Sequence, residues 1–248
     1  MEVRVYGKPI SISNESVKSF YVDRVARYDP KNPLLSVMCQ DNDPLLAEAR
    51  DKHEKSIITP LLDLKNEDSI LDVGCGIGRW AENTAHNVSH YHGVDAMEGL
   101  IKIAKERFIN NVNMSFQALV AQDICKEKLT YKSNFNLIII AGVLMYINDD
   151  DCKQILTQII DCCEKNSRIL ITCPIGVKER LTLNQIWSEE LKCKYSAIYR
   201  TVAEYITLFS ETIGKRGFKL IISQQLFPNH LNNRKETEQY FFILQRQI

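Results

Sequence analysis

Three glycines at alternate positions, Gly74, Gly76 and Gly78, follow the apolar run Ser69-Ile-Leu-Asp-Val73 and precede Arg79-Trp-Ala-Glu82. A short run with one internal acid, Asp72, is the pattern of a buried parallel strand. Glycines directly after such a strand permit positive φ and let a ligand reach the main chain with no Cβ in the way. The N-terminus of a following helix offers unpaired N–H groups to polar or anionic ligand atoms. The spacing narrows the ligand. A dinucleotide fingerprint, G-x-G-x-x-G, needs glycine where Arg79 stands, which disfavours a nicotinamide oxidoreductase. Downstream, Tyr91-His-Gly-Val-Asp95 reads as a second strand ending in an acid, 17 positions after Gly78. A carboxylate there can accept both hydroxyls of a ribose.

At these residues the chain resembles the class I S-adenosylmethionine (SAM)-dependent methyltransferases, whose loop reads (D/E)-x-G-x-G-x-G; Asp72-Val-Gly-Cys-Gly-Ile-Gly78 matches it in full. The resemblance implies an α/β, Rossmann-like seven-stranded fold, SAM as cofactor and S-adenosylhomocysteine as product. It assigns Asp72, Gly74, Cys75, Gly76 and Gly78 to the cofactor loop, Asp95 to the ribose, and Ala96 and Met97 to the adenine flank. Ala121-Gln-Asp-Ile124 fits the exit of the third strand, where Asp123, between Gln122 and Ile124, meets the adenine amino group. Ala141 opens the segment that lines the methyl-transfer chamber. An N-terminal helix carrying Tyr21, Arg24 and Tyr28 resembles the one that closes over SAM. Arg24 would meet the methionine carboxylate, with Tyr21 or Tyr28 against the cofactor. An ordinary amphipathic surface helix is the alternative.

Methyl transfer is an in-line displacement at a carbon already activated by sulfonium, so the protein mainly aligns the acceptor and excludes water. A neutral hydroxyl acceptor needs a general base; an acceptor that is already anionic does not. No clear base is legible. His90 and His92 lie at the wrong end of their strand, and His53 reads as a packed residue. His230, between the last two strands, is the best histidine, and Tyr146 is the other catalytic candidate, with a core aromatic as its alternative. Trp80, Arg180, Tyr199 and Arg200 are the candidates for binding the acceptor, because arginine suits bidentate recognition of phosphate or carboxylate. Solvated surface charge is the alternative for the arginines.

The elements that must position these residues alternate as in a doubly wound sheet. Strands are predicted at 69–73, 91–95, 112–118, 135–141 and 168–173, with helices at 79–87, 97–108 and 149–164. Residues 1–12 read as an irregular leader. Helices are predicted from Ser13 or Asn14 to Tyr28, and from an Asp43 cap with Leu45, Leu46, Ala49, His53, Ile57, Leu61 and Leu62 on its apolar face. Thr201-Val-Ala-Glu204 is a capping box, and 218–227 with 239–245 form a closing antiparallel pair. One domain is expected: an N-terminal cap (1–65), a SAM-binding core (66–176), a lid (177–198) and a C-terminal helix and strand pair (199–248).

The 248 residues carry 31 basic and 31 acidic side chains, a formal charge of zero. That balance gives no electrostatic footprint for nucleic acid or anionic membrane. A nucleic-acid methylase is further disfavoured because Ala141-Gly-Val-Leu144 replaces the Asn/Asp-Pro-Pro-Tyr/Phe motif of many amino-group methylases. With no signal-peptide or membrane-spanning pattern, a cytoplasmic location is expected. The eight cysteines include no C-x-x-C and read as small buried thiols, with no metal. A weaker resemblance over Phe20–Asp29, Ser36–Met38 and Gly74–Glu82 is to methyltransferases of bacterial surface-polysaccharide clusters. It implies O-methylation of a small phosphate- or sugar-containing acceptor, phosphorylated or nucleotide-linked, in capsule phosphoramidate synthesis. N- or C-methylation of another metabolite, and SAM binding without transfer, are the alternatives.

Overall fold

The computed structural model describes residues 3–39, 42–131 and 134–247. In chain order, β1 (Val3–Tyr6) precedes α1 (Asn14–Ala26), the single turn α2 (Leu35–Met38) and α3 (Pro44–Ile58). The Ser13 side chain caps α1, and Asp43 caps α3 with Pro44 in its first turn. The core then runs β2 (Ser69–Val73), α4 (Ala81–Thr84), β3 (His90–Asp95), α5 (Glu98–Arg107), β4 (Met114–Ala118), β5 (Phe135–Ala141), α6 (Asp149–Gln158) and β6 (Cys163–Gly176). A hairpin of β7 (Leu181–Ser188) and β8 (Cys193–Tyr199) follows, then α7 (Val202–Glu211), β9 (Phe218–Gln225) and β10 (Thr237–Arg246). The expected capping box opens α7.

Seven strands form one sheet in the order β4-β3-β2-β5-β6-β10-β9, the first five parallel and β10 antiparallel to both neighbours. This is the seven-stranded Rossmann-like arrangement of methyltransferases expected from the sequence. Alternation in the apolar run Leu137–Ile140 feeds two cores, as a sheet buried on both faces requires. Ile138 and Ile140 join the α6 and α7 side; Leu137 and Ile139 join the α3 and α5 side. Chain order reverses at β2, so the glycine loop stands at the crevice where open α/β sheets bind ligands.

Three expectations change. The leader is not irregular: β1 pairs antiparallel with β7, making a three-stranded sheet β1-β7-β8. Residues 177–198, expected as a lid, contribute the β7–β8 hairpin of that sheet, which with Phe20 of α1 forms a third apolar cluster that includes Met145, Tyr146, Tyr195 and Tyr199. The face of α3 is also rotated from the apolar one. Arg50, Asp51, Glu54 and Lys55 are buried with Ala47 and Ile58, whereas Leu45 is 75% exposed. Ion pairing makes this possible. Arg79 donates to Asp51 at 2.7 Å and to Glu54 at 2.6 Å, and Lys55 to Asp51 at 2.7 Å.

Arg180 and Arg200 flank the hairpin and tie it down. Arg180 donates to Asp149 and Glu204. Arg200, 2% exposed, donates to Asp149 and to the carbonyls of Leu144 and Ile147, both at 2.7 Å. Removing one member of such a buried charged network strands the others. Arg200→Ala is therefore expected to cost about 3 kcal/mol of stability. Denaturant unfolding measures it, and a loss well below 1 kcal/mol would contradict the structural role.

Candidate active site

The glycine loop is built by backbone constraint. Gly74, Gly76 and Gly78 have φ of 75°, 54° and 79°, a region that disfavours any Cβ. A Cβ on Gly74 would also lie 2.2 Å from Val143. The amides of Gly74 and Cys75 donate to the Val94 carbonyl at 2.7 and 3.0 Å, which locks the loop to β3. Cys75 turns its thiol down against Gly93, where a Cβ would meet Sγ at 2.8 Å. Gly78 packs away from the crevice onto Phe108 and is not part of its wall.

Asp95 ends β3 over this loop. One carboxylate oxygen accepts from Gly76 N at 3.0 Å and the other from Met97 N at 2.8 Å. Each oxygen keeps a lone pair for a ligand hydroxyl. Burial raises its pKa and the two amides oppose the rise. Asp72 lies deeper, with the Tyr91 hydroxyl donating to it; burial pushes its carboxyl up to about 7.

These groups face a cavity of about 600 Å³, within the range of small-molecule sites. Part of its wall is formed by Met97, Leu100, Leu119, Val120, Ala121 and Gln122, with Ala96 beside them. Asp123 is not there: it pairs with Lys128 at 2.8 Å on the surface, half exposed. Ile124 is buried in the core below. Another part of the cavity wall is formed by the third apolar cluster. Tyr21, Tyr146, Tyr195 and Tyr199 line it, and Ala141 forms part of its wall. The Tyr21 and Tyr146 rings meet edge to face at 5.4 Å, and the hydroxyls of Tyr146 and Tyr195 lie 3.2 Å apart. Burial raises the pKa of all four phenols, so they are neutral hydrogen-bond donors.

Of the other sequence candidates, Trp80 is a wall of the cavity, 2% exposed, under the Arg79 guanidinium. Arg180 and Arg200 are committed to Asp149 and do not line the cavity. Arg24 is buried over the Phe20 ring, and Tyr28 lies beyond the end of α1; neither lines the cavity. His230 is exposed in a short 3-10 helix and does not line it, while His53 packs against the Leu226 carbonyl as expected. Among the described lining residues there is no histidine. Arg50, Arg234, Asn232 and Tyr195 line the cavity and were missed from sequence. The i, i+4 pairs Arg50–Glu54 and Asp51–Lys55 were the available signal that a charged face of α3 is occupied.

Residues 70–166 match a family model described as a methyltransferase domain. Among curated proteins, phosphoethanolamine N-methyltransferase 1 of Zea mays is 31% identical over 113 residues, covering 44% of this chain and 22% of the maize protein. Phosphoethanolamine N-methyltransferase of Plasmodium falciparum is 23% identical over 183 residues, covering 71% of this chain and 63% of that protein. Among solved structures, Haemonchus contortus phosphoethanolamine N-methyltransferase 1, in complex with phosphoethanolamine and S-adenosylhomocysteine, superposes with a TM-score of 0.71. It is 17% identical, and the match covers 95% of this chain and 49% of that one. The chain thus spans less than a quarter of the maize relative and about half of the Haemonchus chain. Its fold is the Rossmann-like methyltransferase fold.

The buried Asp72 makes a pH prediction. Its folded pKa, about 7, lies above the unfolded value near 4. The folded chain therefore holds that proton more tightly, and stability falls as pH rises from about 4 to about 7. Asp72→Asn should stabilise the ligand-free chain at pH 8 and make no difference below pH 4, as thermal unfolding at the two pH values would show. An equal effect at both would contradict the burial account.

Proposed function

We propose that this chain is a SAM-dependent methyltransferase that transfers a methyl group to a small polar acceptor. The observation that carries the reading is Asp95, fixed by the Gly76 and Met97 amides with a lone pair of each oxygen left over a glycine loop of positive φ. That arrangement suits both hydroxyls of a ribose. The matched methyltransferase domain, and relatives named for transfer to phosphoethanolamine, support the same reading.

SAM bound here brings its own activated methyl group; this chain's residues orient it. Asp95 holds the ribose, Asp72 supplies a buried carboxyl beneath the methionine end, and the Gly74–Gly76 backbone lets the cofactor lie close. The lid phenols enclose the chamber, exclude water and donate hydrogen bonds to the acceptor. An acceptor atom that is already anionic needs no general base. We infer an acceptor bearing phosphate or sugar. The surface-polysaccharide phosphoramidate setting keeps the support of the sequence resemblance alone, whereas the curated relatives are named for transfer to nitrogen.

Calorimetric titration tests the reading. The chain is expected to bind SAM and S-adenosylhomocysteine at micromolar levels and not to bind NAD. Asp95→Ala should weaken both by about 1–3 kcal/mol, because it removes a charged hydrogen-bond acceptor. A folded chain that binds neither sulfur ligand would overturn the proposal.

A further inference from the structure

Two guanidinium groups line the same cavity beside Phe227 and Asn232: Arg50 from α3 and Arg234 from the segment between β9 and β10. Arg50 is 7% exposed. Its hydrogen-bond acceptors are both neutral, the Leu231 carbonyl at 2.7 Å and the Asn233 amide oxygen at 2.8 Å. Among the described residues it makes no ion pair; the carboxylates whose charge reaches it are Glu190 and Asp43. Burial, and then the like charge of Arg234, push its pKa down.

Arg234 sits differently. Its side chain is 43% exposed and pairs at 2.9 Å with Glu190, in the turn of the β7–β8 hairpin. Tyr199 and Tyr195 lie within electrostatic reach of it. Two cations therefore share one close carboxylate at the cavity wall. Glu54, the carboxylate one turn along α3, is engaged by Arg79 at 2.6 Å and does not neutralise them.

A buried cation with only neutral partners carries a desolvation cost that an anionic ligand recovers. Planar guanidinium groups match the oxygens of phosphate two at a time. We propose that Arg50 and Arg234 form the anion subsite of the acceptor pocket, that its ligand is the acceptor's phosphate group, and that Glu190 is a resident counter-ion which the phosphate displaces from Arg234. A phosphate monoester dianion balances both guanidinium charges, while a carboxylate balances one. The neutral hydroxyls of Tyr195 and Tyr199 supply further donors. The assignment rests on the methyltransferase reading above, and it selects phosphate-bearing acceptors over neutral sugars.

The test is calorimetric titration of the full chain with inorganic phosphate in a phosphate-free buffer, with and without S-adenosylhomocysteine. The unmodified chain is expected to bind phosphate saturably in both. Arg234→Gln and Arg50→Gln should each weaken phosphate binding about tenfold or more while leaving S-adenosylhomocysteine affinity unchanged, since each removes a charge-assisted contact. Glu190→Gln should tighten phosphate binding by removing the competitor. Because Arg50 also holds the Leu231 carbonyl, folding of its variant is checked by circular dichroism; Arg234→Gln and Glu190→Gln decide the matter if that variant does not fold. Absence of phosphate binding to a chain that binds S-adenosylhomocysteine would overturn the subsite and leave the cofactor reading standing. Weakened S-adenosylhomocysteine binding in Arg50→Gln with phosphate affinity unchanged would reassign the anion to the cofactor's carboxylate. Failure of S-adenosylhomocysteine binding alone would sink the cofactor reading, with the phosphate titration still deciding the subsite.

Discussion

The hydrogen bond from the Gly76 amide to Asp95 joins the glycine loop to the acid that ends β3, and the surrounding architecture serves to make it possible. It requires a loop with positive φ at alternate positions, which glycine alone adopts without strain. It also requires β2 and β3 as parallel neighbours in register, so that the loop leaving one strand meets the acid ending the other. The Val94 carbonyl, accepting from two successive loop amides, fixes the remaining freedom. Val37 and Val143 then crowd the glycines so closely that no side chain fits. The result is a ligand surface made largely of main chain, with a buried acid below it and another beside it.

Around that surface the chain arranges charge in two distinct ways. Where arginine has a carboxylate partner it builds structure: Arg79 joins α3 to the loop, and Arg180 and Arg200 join the hairpin to the start of α6. Where its partners are neutral or shared, as at Arg50 and Arg234, it faces the cavity. Arg79 lines the cavity as well, so pairing with carboxylates marks an arginine's structural duty and not its distance from the site. The β7–β8 hairpin combines the two roles, since tyrosines of its apolar cluster line the cavity while its flanking arginines hold it in place.

The central fold was legible because it is written in local constraints. Five apolar runs with helix-like spacing between them leave few alternatives for an α/β sheet, and glycine spacing identifies the loop without knowledge of distant contacts. What was not legible depended on partners far along the chain. The pairing of Val3–Tyr6 with Leu181–Asn184 has no local signature, so a strand looked like a leader. The face of α3 was misassigned because periodicity counts apolar residues, whereas Arg79 draws Asp51 and Glu54 inward. The functional arginines were misplaced for the same reason: Arg180 and Arg200 stand beside the lid in sequence, yet Asp149 claims both. Asp123 was lost to a partner only five residues away, Lys128.

The measurement that bears most directly on the account is the structure of this chain in complex with S-adenosylhomocysteine. Both ribose hydroxyls are expected on the Asp95 carboxylate, with the base against Met97 and Leu100 and the sulfur facing the chamber of Tyr21 and Tyr146. A ribose bound away from Asp95, or an adenine lodged under the lid phenols, would contradict the assignment of the glycine loop and the site built on it.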